Sequence, residues 1–121
     1  MPIVHVRANA VDRTSAPAAL AAITEAVSSA VPCAPEAVWC TFAAVDAQSI
    51  GGAARDDEGR IVYVDVWIRA RTDDDGAITR ALEAAAAAAA TGFGVPIEDI
   101  WGTLRPVEPL RVFAGGALID D

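Results

Sequence analysis

Two stretches decide how this chain reads: Pro2-Ile3-Val4-His5-Val6-Arg7, and Arg60-Ile61-Val62-Tyr63-Val64-Asp65, 58 residues further on. The same offset carries Arg13-Thr14 onto Arg71-Thr72. An offset of 62 carries Glu36-Ala37-Val38-Trp39 onto Glu98-Asp99-Ile100-Trp101, the four extra residues falling in the loop between helix and strand. Two separated blocks related by one small shift mark an internal duplication.

Each half reads strand, helix, strand. Residues 3–8 and 61–70 are rich in Val and Ile, and residues 18–31 carry Leu20, Ile23, Val27 and Val31 at helical spacing, with Thr14 or Ser15 as cap and Pro17 in the first turn. The second helix begins after Thr72 with Asp73-Asp74-Asp75 in its first turn, where the helix dipole favours anions, and stops at Gly92-Phe93-Gly94. Residues 37–45 and 99–105 close the units as strands. A unit of about 45 residues has the length of a right-handed parallel crossover. The expectation is therefore a two-layer α/β domain: a tandem βαβ repeat forming a four-stranded sheet with both helices on one face. Residues 1–121 make a single domain, with repeats at 2–45 and 60–105. The linker is 46–59, with a turn or small hairpin at Ile50-Gly51-Gly52, and an irregular arm spans 106–121.

Strand 61–71 also predicts what the sheet does with its second face. Val62, Val64, Val66, Ile68 and Ala70 suit the helices, whereas Tyr63, Asp65, Trp67, Arg69 and Arg71 point the other way. Such a face is too aromatic and too charged for plain solvent, which points to a pocket or an interface and hence to a homo-oligomer. His5 lies on this face, opposite Val4 and Val6. Cys40 shares a face with Val38 and Phe42 and reads as a buried, inert thiol.

Composition removes whole classes of function. All nine basic residues are Arg, and 17 acids leave a net charge of −8, which repels phosphate backbones and argues against nucleic acid. The mean hydropathy of +0.35 comes largely from 28 Ala. No apolar run approaches the roughly 20 residues of a membrane span. The first residues lack a basic stretch followed by an apolar one, so a cytoplasmic protein is expected. One His and two Cys match no zinc pattern, and neither a nucleophile elbow nor a phosphate or dinucleotide loop is present, so no metal and no cofactor are expected. Without Lys, an anion must be gripped by guanidinium forks, backbone amides or a terminal amine.

Pro2 supplies such an amine. Removal of Met1 leaves a secondary amine at the start of a strand. An α-amino group titrates near pH 8, and in an apolar, Arg-lined setting desolvation and like charge favour its neutral, basic form.

The starting Pro2-Ile3-Val4, Arg13 at the strand-to-helix turn, Ile50-Gly51-Gly52 and the second βαβ copy together resemble the tautomerase superfamily, in particular members that fuse two short units in one chain. The resemblance covers nearly the whole sequence. It implies a homotrimer, an amino-terminal proline as general base and acid, and arginines that hold a carboxylate or polarise a carbonyl. Pro2 matches that proline. Arg13 lies within one position of the turn arginine of the 4-oxalocrotonate tautomerase family, and Arg71 is its duplicate; Trp39 stands where that family has a second arginine. The run Trp67-Ile68-Arg69-Ala70-Arg71-Thr72 is similar to the arginine pair of the cis-3-chloroacrylic acid dehalogenase family, with a spacing shorter by one. Thr103 and Ala114 replace that family's tyrosine and glutamate, so its water-activating groups are missing. Arg60 stands where the first repeat has Pro2, which implies one proton-transfer site per chain.

The resemblance thus implies Pro2, Arg71 and Arg69 as catalytic residues. Arg13, Trp39, Trp67 and Trp101 would bind a small carboxylate-bearing substrate. The expected activity is keto–enol tautomerisation. The alternatives are decarboxylation, hydration or dehalogenation on the same scaffold, with Asp46 and Glu108 as the nearby acids, and a non-catalytic trimeric binding module in which Arg69 and Arg71 form salt bridges, Asp65 being the nearest acid on their face.

Overall fold

The computed structural model describes residues 2–54, 60–69 and 75–119. In chain order the elements are β1 (Ile3–Asn9), α1 (Ala16–Ala30), β2 (Trp39–Val45), a hairpin of β3 (Ser49–Ile50) and β4 (Ala53–Ala54), β5 (Val62–Arg69), α2 (Asp75–Phe93), β6 (Ile100–Val107), and a second hairpin of β7 (Val112–Ala114) and β8 (Ala117–Ile119). The main sheet runs β2-β1-β5-β6. Pairing is parallel within each half, Ile3 opposite Trp39 and Val62 opposite Ile100, and antiparallel where the halves meet, Val6 opposite Val64. The fold is thus the expected α+β arrangement of two helices on a four-stranded mixed sheet. Strand alternation sends Val4, Val6 and Ala8 of β1 and Val62, Val64, Val66 and Ile68 of β5 into the core.

The helices close that core with small side chains. From α1 come Ala16, Ala19, Ile23 and Val27; from α2 come Ile78, Ala81, Ala85, Ala89 and Phe93. Part of the alanine run at 84–90 is therefore packing surface. Small residues let the helices approach closely: a Cβ added at Gly92 would lie 2.7 Å from the Ala19 Cβ. Leu20 is only partly buried, and Val31 is the C-cap of α1 rather than part of it. Ser15 makes no side-chain capping bond, since a short 3-10 turn over Ala10–Thr14 feeds the helix. Gly94, at φ 65°, ends α2 in the left-handed region.

The duplication runs further than the sequence reading took it. Gly51 and Gly52 turn the first hairpin at φ 59° and 86°, and Gly115 and Gly116 turn the second at 61° and 86°. Positive φ at both central residues is what a tight two-residue hairpin demands. Over its described residues, 106–119, the expected irregular arm is instead ordered: β6 continues to Val107, and the Gly115-Gly116 pair folds the next residues into a hairpin equivalent to the one in the linker.

A charge pair fastens the halves together. Asp12, 1% exposed, accepts hydrogen bonds from Nε and Nη2 of Arg60, and Nη2 also donates to the Phe93 carbonyl at 2.8 Å. Gln48 extends the pairing, its amide donating to the Ile61 carbonyl at 2.7 Å and accepting from the Ile61 N–H at 3.2 Å.

Candidate functional site

Pro2 is fully buried at the head of β1, and its carbonyl accepts a hydrogen bond from the Trp39 N–H at 3.1 Å. Register carries the neighbourhood outward. Ile3 lies between Trp39 and Trp67, and Trp67 lies beside Arg105, so these four residues form one row across the open face. Because β5 runs antiparallel to β1, its last residue, Arg69, stands at the Pro2 end. Ile3, Trp67, Arg69 and Val107, with Val112 and Ile119 of the second hairpin, enclose a cavity of about 30 Å³. That is room for one water.

The residues singled out from the sequence divide into two groups within one chain. Pro2, Trp39, Trp67 and Arg69 share an end of the sheet. Arg13 follows the far end of β1, and a seven-residue strand separates it from Pro2 by roughly 20 Å. Trp101 pairs with Tyr63, which pairs with Arg7, so it also belongs to that far end. Arg71 lies outside the described residues.

The middle of the open face carries a second row, Thr41, His5, Asp65 and Thr103. His5 Nδ1 and Thr41 Oγ1 are 2.7 Å apart, and the His5 ring meets Trp67 edge-on at 5.9 Å. Asp65 accepts from Thr103 Oγ1 at 2.6 Å, from Trp67 Nε1 at 2.8 Å and from Arg105 Nε at 3.0 Å. Partial burial pushes the Asp65 carboxyl upward, but the bonds from Thr103, Trp67 and Arg105, with the Arg105 charge, outweigh it and hold the group below its ordinary value. Among the described residues the cation bonded to Asp65 is therefore Arg105, from the neighbouring strand, rather than Arg69. The Arg105 guanidinium also lies over the Trp67 ring at 5.4 Å.

Sequence reasoning passed over Asp12, Thr103 as a donor, Arg105 and Arg111. The alternation of Trp101, Thr103 and Arg105 was a usable signal for a second polar strand on the open face. Beyond Trp67 opens a groove of about 490 Å³ that Arg105, Glu108 and Arg111 line.

On the helix side, Cys40 Sγ lies 3.3 Å from Thr24 Oγ1; burial raises the thiol above its ordinary value, against the Thr24 hydrogen bond, which disfavours a nucleophilic thiolate. Among the described residues no group of three or more His, Cys, Asp or Glu could hold a metal ion, and no helix is long and apolar enough to cross a membrane.

No family model and no curated protein matches this chain. Solved structures do. A member of the cis-3-chloroacrylic acid dehalogenase family superposes with a TM-score of 0.77 at 20% identity, over 97% of this chain and 82% of that one. A fused 4-OT, a wild-type symmetric trimer, gives 0.82 at 16% over 98% and 97%. A malonate semialdehyde decarboxylase inhibited by 3-bromopropiolate gives 0.71 at 15% over 93% and 88%. At such identities the likeness is one of fold alone, a tautomerase-type fold of two helices on a four-stranded mixed sheet.

Proposed function

We propose that this chain is a tautomerase-superfamily enzyme that interconverts the keto and enol forms of a small 2-oxo or unsaturated carboxylic acid, without a cofactor and as a homotrimer. The observation that carries the reading is the fully buried Pro2 at the head of β1, at the same end of the sheet as Trp39, Trp67 and Arg69.

With Met1 removed, the Pro2 nitrogen is a secondary amine whose burial favours the neutral form. It takes the proton from the carbon beside the substrate carbonyl, the electron pair moves onto the carbonyl oxygen as an enolate, and the same proton is returned to that oxygen. No atom is gained or lost. Arg69 and Arg71 stabilise the enolate, the transition-state charge that a fixed donor lowers most. Trp39 and Trp67 form a dry wall. This step needs one base and one cation and no water-activating group, which accords with Thr103 and Ala114 at the places of the dehalogenase tyrosine and glutamate.

A cavity of about 30 Å³ is too small for such an acid, so further walls are required. The symmetric trimer of the fused 4-OT supports assembly as their source. Arg13 and Trp101, at the other end of the sheet, reach a Pro2 only in a neighbouring copy, and the proposal assigns them to substrate binding there.

The test is ketonisation of the phenylpyruvate enol, followed by ultraviolet absorbance, by protein whose intact mass shows Pro2 as its first residue. Turnover that Pro2→Ala abolishes supports the reading; equal turnover in the variant overturns it.

A further inference from the structure

We propose that Arg105, braced by Asp65, is the carboxylate-binding residue of this site, and that the acid it takes carries a flat unsaturated or aryl body between its carboxylate and the reacting carbon. The reacting carbon rests on the functional reading above; the binding of the carboxylate stands on the groove alone.

Space is the first argument. The cavity at the Pro2 end holds one water, whereas the open, shallow groove on the other side of Trp67, about 490 Å³, leaves room for the body of a small acid. Trp67 and Val107 wall both spaces. A substrate that reaches Pro2 therefore has its bulk along Trp67 and its far end in the groove.

The groove presents the right chemistry at that end. Arg105 gives its Nε–H to Asp65, and every hydrogen bond it makes to a described residue leaves from that nitrogen. Its two terminal nitrogens are left as the fork that fits a carboxylate in bidentate fashion. Three donors hold Asp65, and the Trp67 ring lies under the guanidinium, so the fork is oriented before a ligand arrives. Arg111 brings a second guanidinium to the lining, so that with Asp65 holding Arg105 the groove offers two cations while Glu108 is the carboxylate on its wall.

Register sets the length of the ligand. From Ile3 through Trp67 to Arg105 is two inter-strand steps, roughly 10 Å. An acid whose carboxylate adjoins the reacting carbon does not span that distance, whereas one with a planar body lying on the indole does.

The experiment titrates trans-cinnamate, its neutral amide and propionate into wild type, Arg105→Ala, Arg105→Lys and Pro2→Ala, reading the Trp67 indole N–H resonance. Wild type and Pro2→Ala are expected to bind cinnamate alike. Arg105→Ala should bind it at least about tenfold more weakly, the loss of a charge-assisted contact, with Arg105→Lys between the two. The amide and propionate should bind poorly to all four proteins. Equal cinnamate binding by wild type and Arg105→Ala overturns the inference, as does equal binding of the amide or of propionate by wild type. Ketonisation of the phenylpyruvate enol by Arg105→Ala that cinnamate inhibits as strongly as it inhibits wild type also overturns it and leaves the functional reading standing. Arg105-dependent binding without ketonisation by wild type sinks the functional reading instead and leaves the carboxylate site.

Discussion

Asp12 and Arg60, 48 residues apart in sequence, meet in a two-pronged ion pair, with Nη2 2.9 Å and Nε 3.1 Å from the carboxylate oxygens. Arg60 occupies in the second repeat the position that Pro2 holds in the first. The same place in the duplicated fold thus carries a buried amine candidate at one end of the sheet and a sealed structural cation at the other.

Removing one partner of that pair strands the other charge. Asp12→Ala or Arg60→Ala should lose about 3 kcal/mol of stability, since breaking a buried pair costs about 3 to 5 kcal/mol and the Arg60 side chain keeps 17% exposure. The double variant Asp12→Leu, Arg60→Met should lose less than either. Urea denaturation of the four proteins measures this, and additive losses would contradict it.

Gly92 packs where no side chain fits. Gly92→Ala would set a Cβ 2.7 Å from the Ala19 Cβ and 2.9 Å from its Cα, a backbone atom that cannot swing aside. The helices must part, at a cost of about 1 to 3 kcal/mol despite the better helix propensity of alanine. A lowered thermal midpoint checks it; a raised one would mean that the helices are not packed this closely.

Asp65 should make stability depend on acid. Its folded-state value lies below that of the unfolded chain, so between the two the unfolded chain binds more protons and stability rises with pH. The advantage of wild type over Asp65→Asn should therefore be constant at neutral pH down to about pH 5. It should shrink as pH drops below about 4 and through the folded value. Urea midpoints across that range test it. Asp65→Asn should weaken cinnamate binding while leaving kcat for ketonisation nearly unchanged, since Asp65 positions Arg105 and does not touch the reacting atoms.

Blocking the amine should stop catalysis without disturbing binding. A Gly-Ser extension left in front of Pro2 turns its nitrogen into an amide with no basic lone pair. Ketonisation should fall at least about a hundredfold, in line with loss of a general base, while cinnamate binding persists. Undiminished turnover by the extended chain would remove Pro2 from the mechanism.

Assembly should depend on the second hairpin. Phe113 and Leu118 are cross-strand partners left 70% and 57% exposed in the single chain, apolar area that a partner would cover. Wild type should sediment as a trimer and Phe113→Glu as a smaller species. A trimer that survives the substitution would place the interface elsewhere.

Much of the fold was legible because it is written locally. Alternation in β1 and β5, helical spacing in α1, the stop at Gly94 and the glycine pair at 51–52 are decided by neighbours a few residues apart. The duplication then carried the first half onto the second. Its extension through Gly115-Gly116 was equally visible in the residues.

The site was not legible in the same way, because its membership depends on strand order and direction. The amino-acid sequence alone determined two βαβ units, an apolar and a polar face, and a proline at the head of the first strand. Only the tertiary structure decided that the units meet antiparallel, which brings Arg69 to the Pro2 end and sends Arg13 and Trp101 to the other. The pairing of β5 with β6 likewise gave Asp65 its partner in Arg105, 40 residues on. These relationships come from burying two half-cores against each other, and no local preference of the chain encodes which distant side chains that burial makes neighbours.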